Sequence, residues 1–236
     1  MRYRVAVEDI EPGHYVCWVL DLPGCFSSAQ TQEDAVAKAP SRIGAYYRWS
    51  RERDPSLPRM NGPFEVDLVE AFEAHPCVED PDYLINAFFQ HDRRPLSYWE
   101  VAVGLRLLRW TRDDLLALVG PLTQEELNEP IQGEDRRSIA GVLEHVVGAE
   151  NWYLSQLDLA AERSTLPDGV LGKLVAVRAN TNRQLVTLIG EGRITESCGE
   201  RWSARKILRR TLWHERDHTQ HIAKLIARRD RQRGRI

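Results

Sequence analysis

The sequence predicts an α+β domain followed by an all-α four-helix bundle. Apolar residues alternate with a period of two through most of the first third of the 236 residues. After Pro95 they recur with a period near 3.6 in four long stretches. Turn and cap residues punctuate the places where one period gives way to the other. These observations divide the chain into an α+β domain at 1–75, a connector at 76–95 and a bundle at 96–236.

The elements follow in order. "YRVAVE" places Tyr3, Val5 and Val7 on one face of a strand. "EPG" supplies a turn, and "HYVCWVLD" resumes as a β-prone strand with Val16, Trp18 and Leu20 on one side. "LPGCFSSAQ" reads as a third short strand after a Pro-Gly turn. At Thr31 a helix begins, with a cap residue, acids in its first turn and apolar positions Ala35, Val36, Ala39, Ile43, Tyr46 and Tyr47. Pro40 inside it is expected to kink or split it. "FEVDLVEAF" alternates again as a strand. The expectation is a curved antiparallel sheet with one helix and no nuclease activity. Its strands offer Glu8, Asp9 and Asp21 near turns and no convergent carboxylate set.

The bundle helices are expected at 96–120, 138–160, 171–190 and 203–229. The first opens on a Ser97 cap with Glu100 three residues on and ends at Gly120–Pro121. Each buries one apolar stripe, as a four-helix bundle requires.

Composition narrows the function classes. Apolar residues make up 42% and charged residues 28%, which excludes a disordered chain. A formal net charge of −3 gives no global attraction for nucleic acid or anionic membrane. The basic end "IARRDRQRGRI" reads as a solvated helix terminus favoured by the macrodipole. The four cysteines fit no C-x-x-C pattern. The start lacks a signal-peptide run, and no stretch has the apolar length of a membrane span. A cytoplasmic protein with reduced thiols and no membrane partner is therefore expected.

"WHERDHTQHI" contains His214, Glu215 and His218 in the spacing H-E-x-x-H of many zinc proteases. Those enzymes take a third ligand downstream. No Glu follows Glu215, and the longer H-x-x-G-x-x-H form would place its glycine at His221 and its ligand at Lys224. Neither protease form is complete. On a helix, His214, His218 and His221 fall within an arc of roughly 60° and continue the row Ile207, Thr211. Buried imidazoles need partners for both nitrogens, whether core groups or a cation. A third ligand must come from upstream, and His145 sits at the edge of the second bundle helix's apolar stripe. Glu215 lies about 100° round from His214 and faces away. Glu144 and Glu150 are the acids nearest His145. Trp152 and Trp213 are placed either to wall a pocket or to pack in the core.

Two family resemblances follow from these residues. "LPGCFSSAQTQEDAVAKA" resembles the HicB-like family, antitoxin-related domains with a degenerate RNase H-like sheet, over about residues 3–72. Ala29 stands where that family often has Gly. "SIAGVLEHVVGAENWYL" and "LWHERDHTQHI" resemble the DinB-like family of metal-binding four-helix bundles, with its YfiT-like proteins and thiol-dependent transferases, over about 96–229. That resemblance implies a metal held by His145, His214 and His218, with zinc or nickel as the expected ion. It implies a metal-dependent transferase, isomerase or hydrolase acting on a small-molecule substrate, with a low-molecular-weight thiol as a further cofactor. His221, where the family often has Gln, is expected beside the ligands together with Glu150. The rival reading is an antitoxin-like interaction protein. Its front domain would bind a protein or RNA partner and its metal would be structural. A homodimer is compatible with both.

Overall fold

The computed structural model describes residues 1–133, 136 and 138–232; the last residues of the basic end lie outside them. The chain divides into two compact units, Met1–Pro95 with Gly192–Arg209, and Leu96–Glu191 with Arg210–Ile236.

In the first unit, strands β1 (Arg2–Glu11), β2 (His14–Val19), β3 (Phe26–Ala29) and β4 (Glu65–Glu73) form one sheet in the order β3-β2-β1-β4. β1–β2 and β2–β3 are antiparallel, as hairpins require. β1 and β4 are parallel, so the sheet is mixed, which corrects the expected antiparallel one. The reason is the helix α1 (Gln32–Arg53) between β3 and β4. It carries the chain back along the sheet, so β4 starts at the end where β1 starts. Thr31 caps α1, its hydroxyl accepting from the Asp34 amide at 3.2 Å. Pro40 does not split the helix, which is continuous over 22 residues. What the proline removes is one amide donor.

Both faces of this sheet are covered. α1 lays Ala35, Ala39, Ile43 and Tyr46, all buried, over the side carrying Tyr3, Val5 and Val7. Ser27 donates to the Ala35 carbonyl at 2.6 Å on that side. Ala6 and Trp18, opposite each other in register, point to the other side and are also buried. There the segment read as a connector becomes part of the domain. Ala87, Phe88 and Phe89 are buried, and the Ala87 amide donates to the buried Glu8 carboxylate at 2.8 Å. Residues 204–209, the start of the C-terminal helix, complete this cover. Arg209 donates to Asp92 at 2.6 Å and its guanidinium lies 4.5 Å from the centre of the Trp18 ring. The front domain is therefore discontinuous in sequence and larger than 1–75.

Two small hairpins belong to the same unit: β5 (His75–Pro76) with β6 (Leu84–Ile85), and β7 (Thr195–Ser197) with β8 (Glu200–Trp202). Lys206, fully buried, donates to Glu200 at 2.6 Å. Cys77 and Cys198 form a disulfide across 121 residues, with Cα atoms 5.8 Å apart. This corrects the expectation of four reduced thiols. A spacing that long carries no short motif, and only the folding of 192–209 onto the front unit brings the two together. Cys17 and Cys25 are free and buried, and burial pushes the Cys17 thiol up to about 12.

The second unit holds α2 (Tyr98–Val119), the short α3 (Gln124–Asn128), α4 (Ile139–Ser155), α5 (Val170–Thr187) and α6 (Ala204–Gln232) from Arg210 onward. α2 opens on a capping box in which Ser97 accepts from the Glu100 amide and Glu100 accepts from the Ser97 amide. The core gathers Leu115 and Val119 of α2, Val142, Leu143 and Val146 of α4, Leu174 and Val177 of α5, and Ile222 and Leu225 of α6. α4 ends five residues before the expected 160. The Asn151 side chain both accepts from the Ala161 amide at 2.8 Å and donates to its carbonyl at 3.0 Å, which turns the chain back. Among the described residues no helix is long and apolar enough to cross a membrane.

Candidate metal centre

The three histidines come from two helices of the second unit. Ser138 caps α4 by accepting from the Gly141 amide at 3.1 Å. The helix then buries Ile139, Val142, Leu143 and Val146, which leaves His145 half-buried at the margin of that stripe. On α6, His214 is buried and His218, one turn on, is half-buried. The His214 Nε2 lies 3.1 Å from the His145 Nε2 and 3.1 Å from the His218 Nε2. One ligand atom from each ring falls within 4.8 Å of the others.

This arrangement suits a cation. Two nitrogens each about 2.0–2.1 Å from a shared ion lie roughly 3 Å apart, and the two spacings from His214 match. Protons are disfavoured at the same atoms. Burial, then the neighbouring His218 and His145 and the charges of Arg210 and Arg136, hold His214 well below the usual imidazole range. Burial and His145 bring His218 down to about 3, and burial with Arg136 lowers His145. Three imidazoles, each held below its usual range, bring one ring nitrogen apiece together, and no carboxylate or thiol joins them within the group. Among the described residues this is the group of ligand-bearing side chains that could hold a metal ion.

The other sequence candidates fall around it. The His221 ring lies 6.1 Å from that of His218, beside the group and outside the convergent nitrogens. The carboxylate of Glu150 turns to α2 and α5 instead of the histidines. It accepts from Arg178 at 2.7 Å, Arg112 at 2.9 Å and Thr181 at 2.7 Å. Glu215 points the same way, accepting from Thr111 and Arg112 at 2.7 Å each and from Arg178 at 3.0 Å. Glu144 pairs with Lys173 at 2.8 Å. Trp213 is buried with its ring 5.8 Å from that of His214, and the Arg210 guanidinium lies 4.7 Å from the Trp213 ring centre. Tyr153 meets His214 edge-on at 6.0 Å, whereas the partly exposed Trp152 packs on Tyr153. In the front unit the three strand acids are engaged separately: Glu8 with Ala87, Asp9 with the Ala74 amide, and Asp21 with Arg4.

The buried Arg112 and Arg178 escaped the sequence reading. A usable signal existed, since both arginines stand on apolar stripes, next to Thr111 and Leu115 and next to Val177 and Thr181. A charge on such a stripe demands a buried opposite charge.

Residues 107–222 match the DinB superfamily. The front region matches two relatives. A UPF0150 protein of Thermoplasma acidophilum is 34% identical over 61 residues, 26% of this chain and 88% of that protein. An uncharacterized 14.9 kDa protein from the rep-hol intergenic region of Haemophilus phage HP1 is 36% identical over 61 residues, 45% of its length. No solved structure matches.

Proposed function

We propose, for a chain that carries a DinB superfamily domain at residues 107–222 and belongs through its front region with the UPF0150, HicB-like proteins, that His145, His214 and His218 hold one divalent cation, zinc or nickel, in a metal-dependent enzyme acting on a small molecule. The supporting observation is the gathering of three ring nitrogens within 4.8 Å, two of the spacings 3.1 Å, with no acid among them. Three neutral ligands leave a divalent ion its full charge and room for a further ligand. Such an ion lowers the pKa of a bound water or thiol, which suits a hydrolase or a transferase or isomerase using a low-molecular-weight thiol.

The chain's own residues set the rest. Trp213 and Tyr153 press on His214 and fix its ring. Burial, His218 and His145 hold His214 below the usual imidazole range, and Arg210, stacked on Trp213, adds positive charge that acts in the same direction. Glu215, locked by two arginines, is withheld from the general-base role that H-E-x-x-H gives it in proteases. His221 stands at the edge, placed to orient a bound molecule.

Elemental analysis of the purified protein tests this reading. One equivalent of metal in the native protein, and nearly none in His145→Ala, is the expected result. Full metal content in His145→Ala would overturn it.

A further inference from the structure

The second half of α1 and the loop that leads into β4 flank an open cleft of about 630 Å³ in the front unit. Arg48, Arg51 and Arg59 line it together with the rings of Tyr47 and Phe64. Glu52 is the acid on its wall. Three cations against one anion make this a locally positive site on a chain whose net charge is −3. Arg48 and Arg51 are three apart on the helix, where like charges repel. Arg51 is tied by donation to the Leu57 carbonyl, while Arg48 and Arg59 are exposed.

The aromatic side is built just as definitely. Tyr47 and Phe64 stack with ring centres 5.9 Å apart and planes 25° from parallel. The Tyr47 hydroxyl is held by that of Tyr3 at 2.8 Å. Gly44 forms the floor. A Cβ there would lie 3.4 Å from the Phe64 ring and 3.5 Å from the Arg48 guanidinium, so cation and ring meet over the same point. Glycine is a poor residue for a helix interior. Here the absent side chain lets the Phe64 ring and the Arg48 guanidinium lie close over the helix backbone.

We infer that this cleft binds a nucleoside 5′-phosphate, with the phosphate on Arg48 and Arg59 and the base against the Phe64–Tyr47 wall. Guanidinium groups match phosphate oxygens in two-pronged hydrogen bonds, and an aromatic ring beside them accepts the flat face of any base. A free nucleotide and the 5′ end of a single-stranded RNA present the same chemistry.

Titration calorimetry on the full chain, with chelator present so that the three histidines contribute no metal, tests the inference. Adenosine and uridine 5′-monophosphate should both bind. Adenosine and inorganic phosphate should each bind more weakly by about tenfold or more, because each offers half of the recognised chemistry. The double variant Arg48→Gln/Arg59→Gln should lose about tenfold or more in affinity for the monophosphates while its melting temperature stays within about 2 °C. Equal affinity for phosphate and the monophosphates would overturn the inference, as would unaltered binding by the double variant or no saturable binding. An RNA hexamer that binds better with a 5′-phosphate than without would assign the site to chain ends. Monophosphate binding with neither hexamer bound would assign it to free nucleotides. A hexamer bound equally well with and without its phosphate would overturn the inference.

Discussion

Two buried polar groups share helices α4 and α6, and they are built on opposite principles. Glu150 and Glu215 enter a cluster with Arg112 and Arg178 in which two negative charges meet two positive ones. Thr111 and Thr181 add hydroxyl donors, so each carboxylate has at least three donors. His145 and His214 stand five residues and one residue away from those glutamates, yet their group contains three bases and no acid. The first cluster closes on itself. The second gathers three ring nitrogens within 4.8 Å of one another with no acid among them. Neighbouring positions on the same helices thus separate a self-satisfied polar core from a group that could hold a metal ion.

The comparison breaks most visibly at the closed cluster. Removing one carboxylate leaves two buried guanidinium groups undercompensated. Glu215→Ala is expected to cost about 3–5 kcal/mol of stability, read by urea unfolding. A loss below about 1 kcal/mol would mean that the cluster behaves like a solvated surface pair. His218→Gln in the metal-free protein should change stability much less, because no charge is stranded.

The open group should instead gain from outside. Zinc or nickel at about a hundredfold over its Kd is expected to stabilise the metal-free protein by about 2.7 kcal/mol, seen as a rise in melting temperature. The rise should vanish in His218→Gln and persist in a variant of the exposed Trp99. An equal rise in the His218 variant would place the metal elsewhere.

Much of this contrast was legible in the sequence, and its limits have physical causes. The row of His214, His218 and His221 on one helical arc, with His145 on another amphipathic helix, is a one-dimensional pattern, and the structure brings three of the four together. The long helices α1, α2, α4, α5 and α6 follow from apolar periodicity, although α4 stops short because the Asn151 side chain captures Ala161, and the five-residue α3 is too short to show such a stripe. The parallel β1–β4 pairing and the packing of 76–95 and 192–209 on the sheet depend on long-range return of the chain. So does the Cys77–Cys198 bond. Glu150 illustrates the same limit. Nearness in sequence to His145 made it a candidate neighbour of the site, but its oxygens turn to Arg112 and Arg178 on α2 and α5.

Acid should act on the two groups with the same sign and from different starting points. In the metal-free protein, the imidazole of His218 titrates at about 3 when folded against 6.5 when unfolded. Between those values the unfolded chain binds more protons, so stability falls as pH drops from about 6.5. The slope is about 1.4 kcal/mol per pH unit for each such histidine. The groups facing His218 from its own and the neighbouring helix are His145, His214 and His221, with Arg136 adding positive charge. Glu150, held below the ordinary carboxylate range by Arg178 and Arg112 against its burial, adds its own loss only at lower pH. Urea midpoints of chelated protein at pH 7, 6 and 5 should decline, and His218→Gln should flatten the decline. A flat native profile would contradict the convergence of neutral imidazoles.

The smallest expected effect concerns His221, and it sharpens the comparison most. Its ring stands 6.1 Å from that of His218, on the same arc of α6, while the three convergent nitrogens come from His145, His214 and His218. A group placed there can orient a bound molecule without joining the nitrogens around an ion. His221→Gln keeps a hydrogen-bonding side chain, so metal content and the metal-induced rise in melting temperature should stay within about 10% of native, whereas His218→Gln loses both. Four protein nitrogens would close the coordination shell and make the metal structural, as the Glu150–Glu215 cluster is structural. Equal metal loss in the two variants would therefore erase the difference between the open and the closed group, and move the protein to the reading in which its metal supports the fold and its front unit binds a partner.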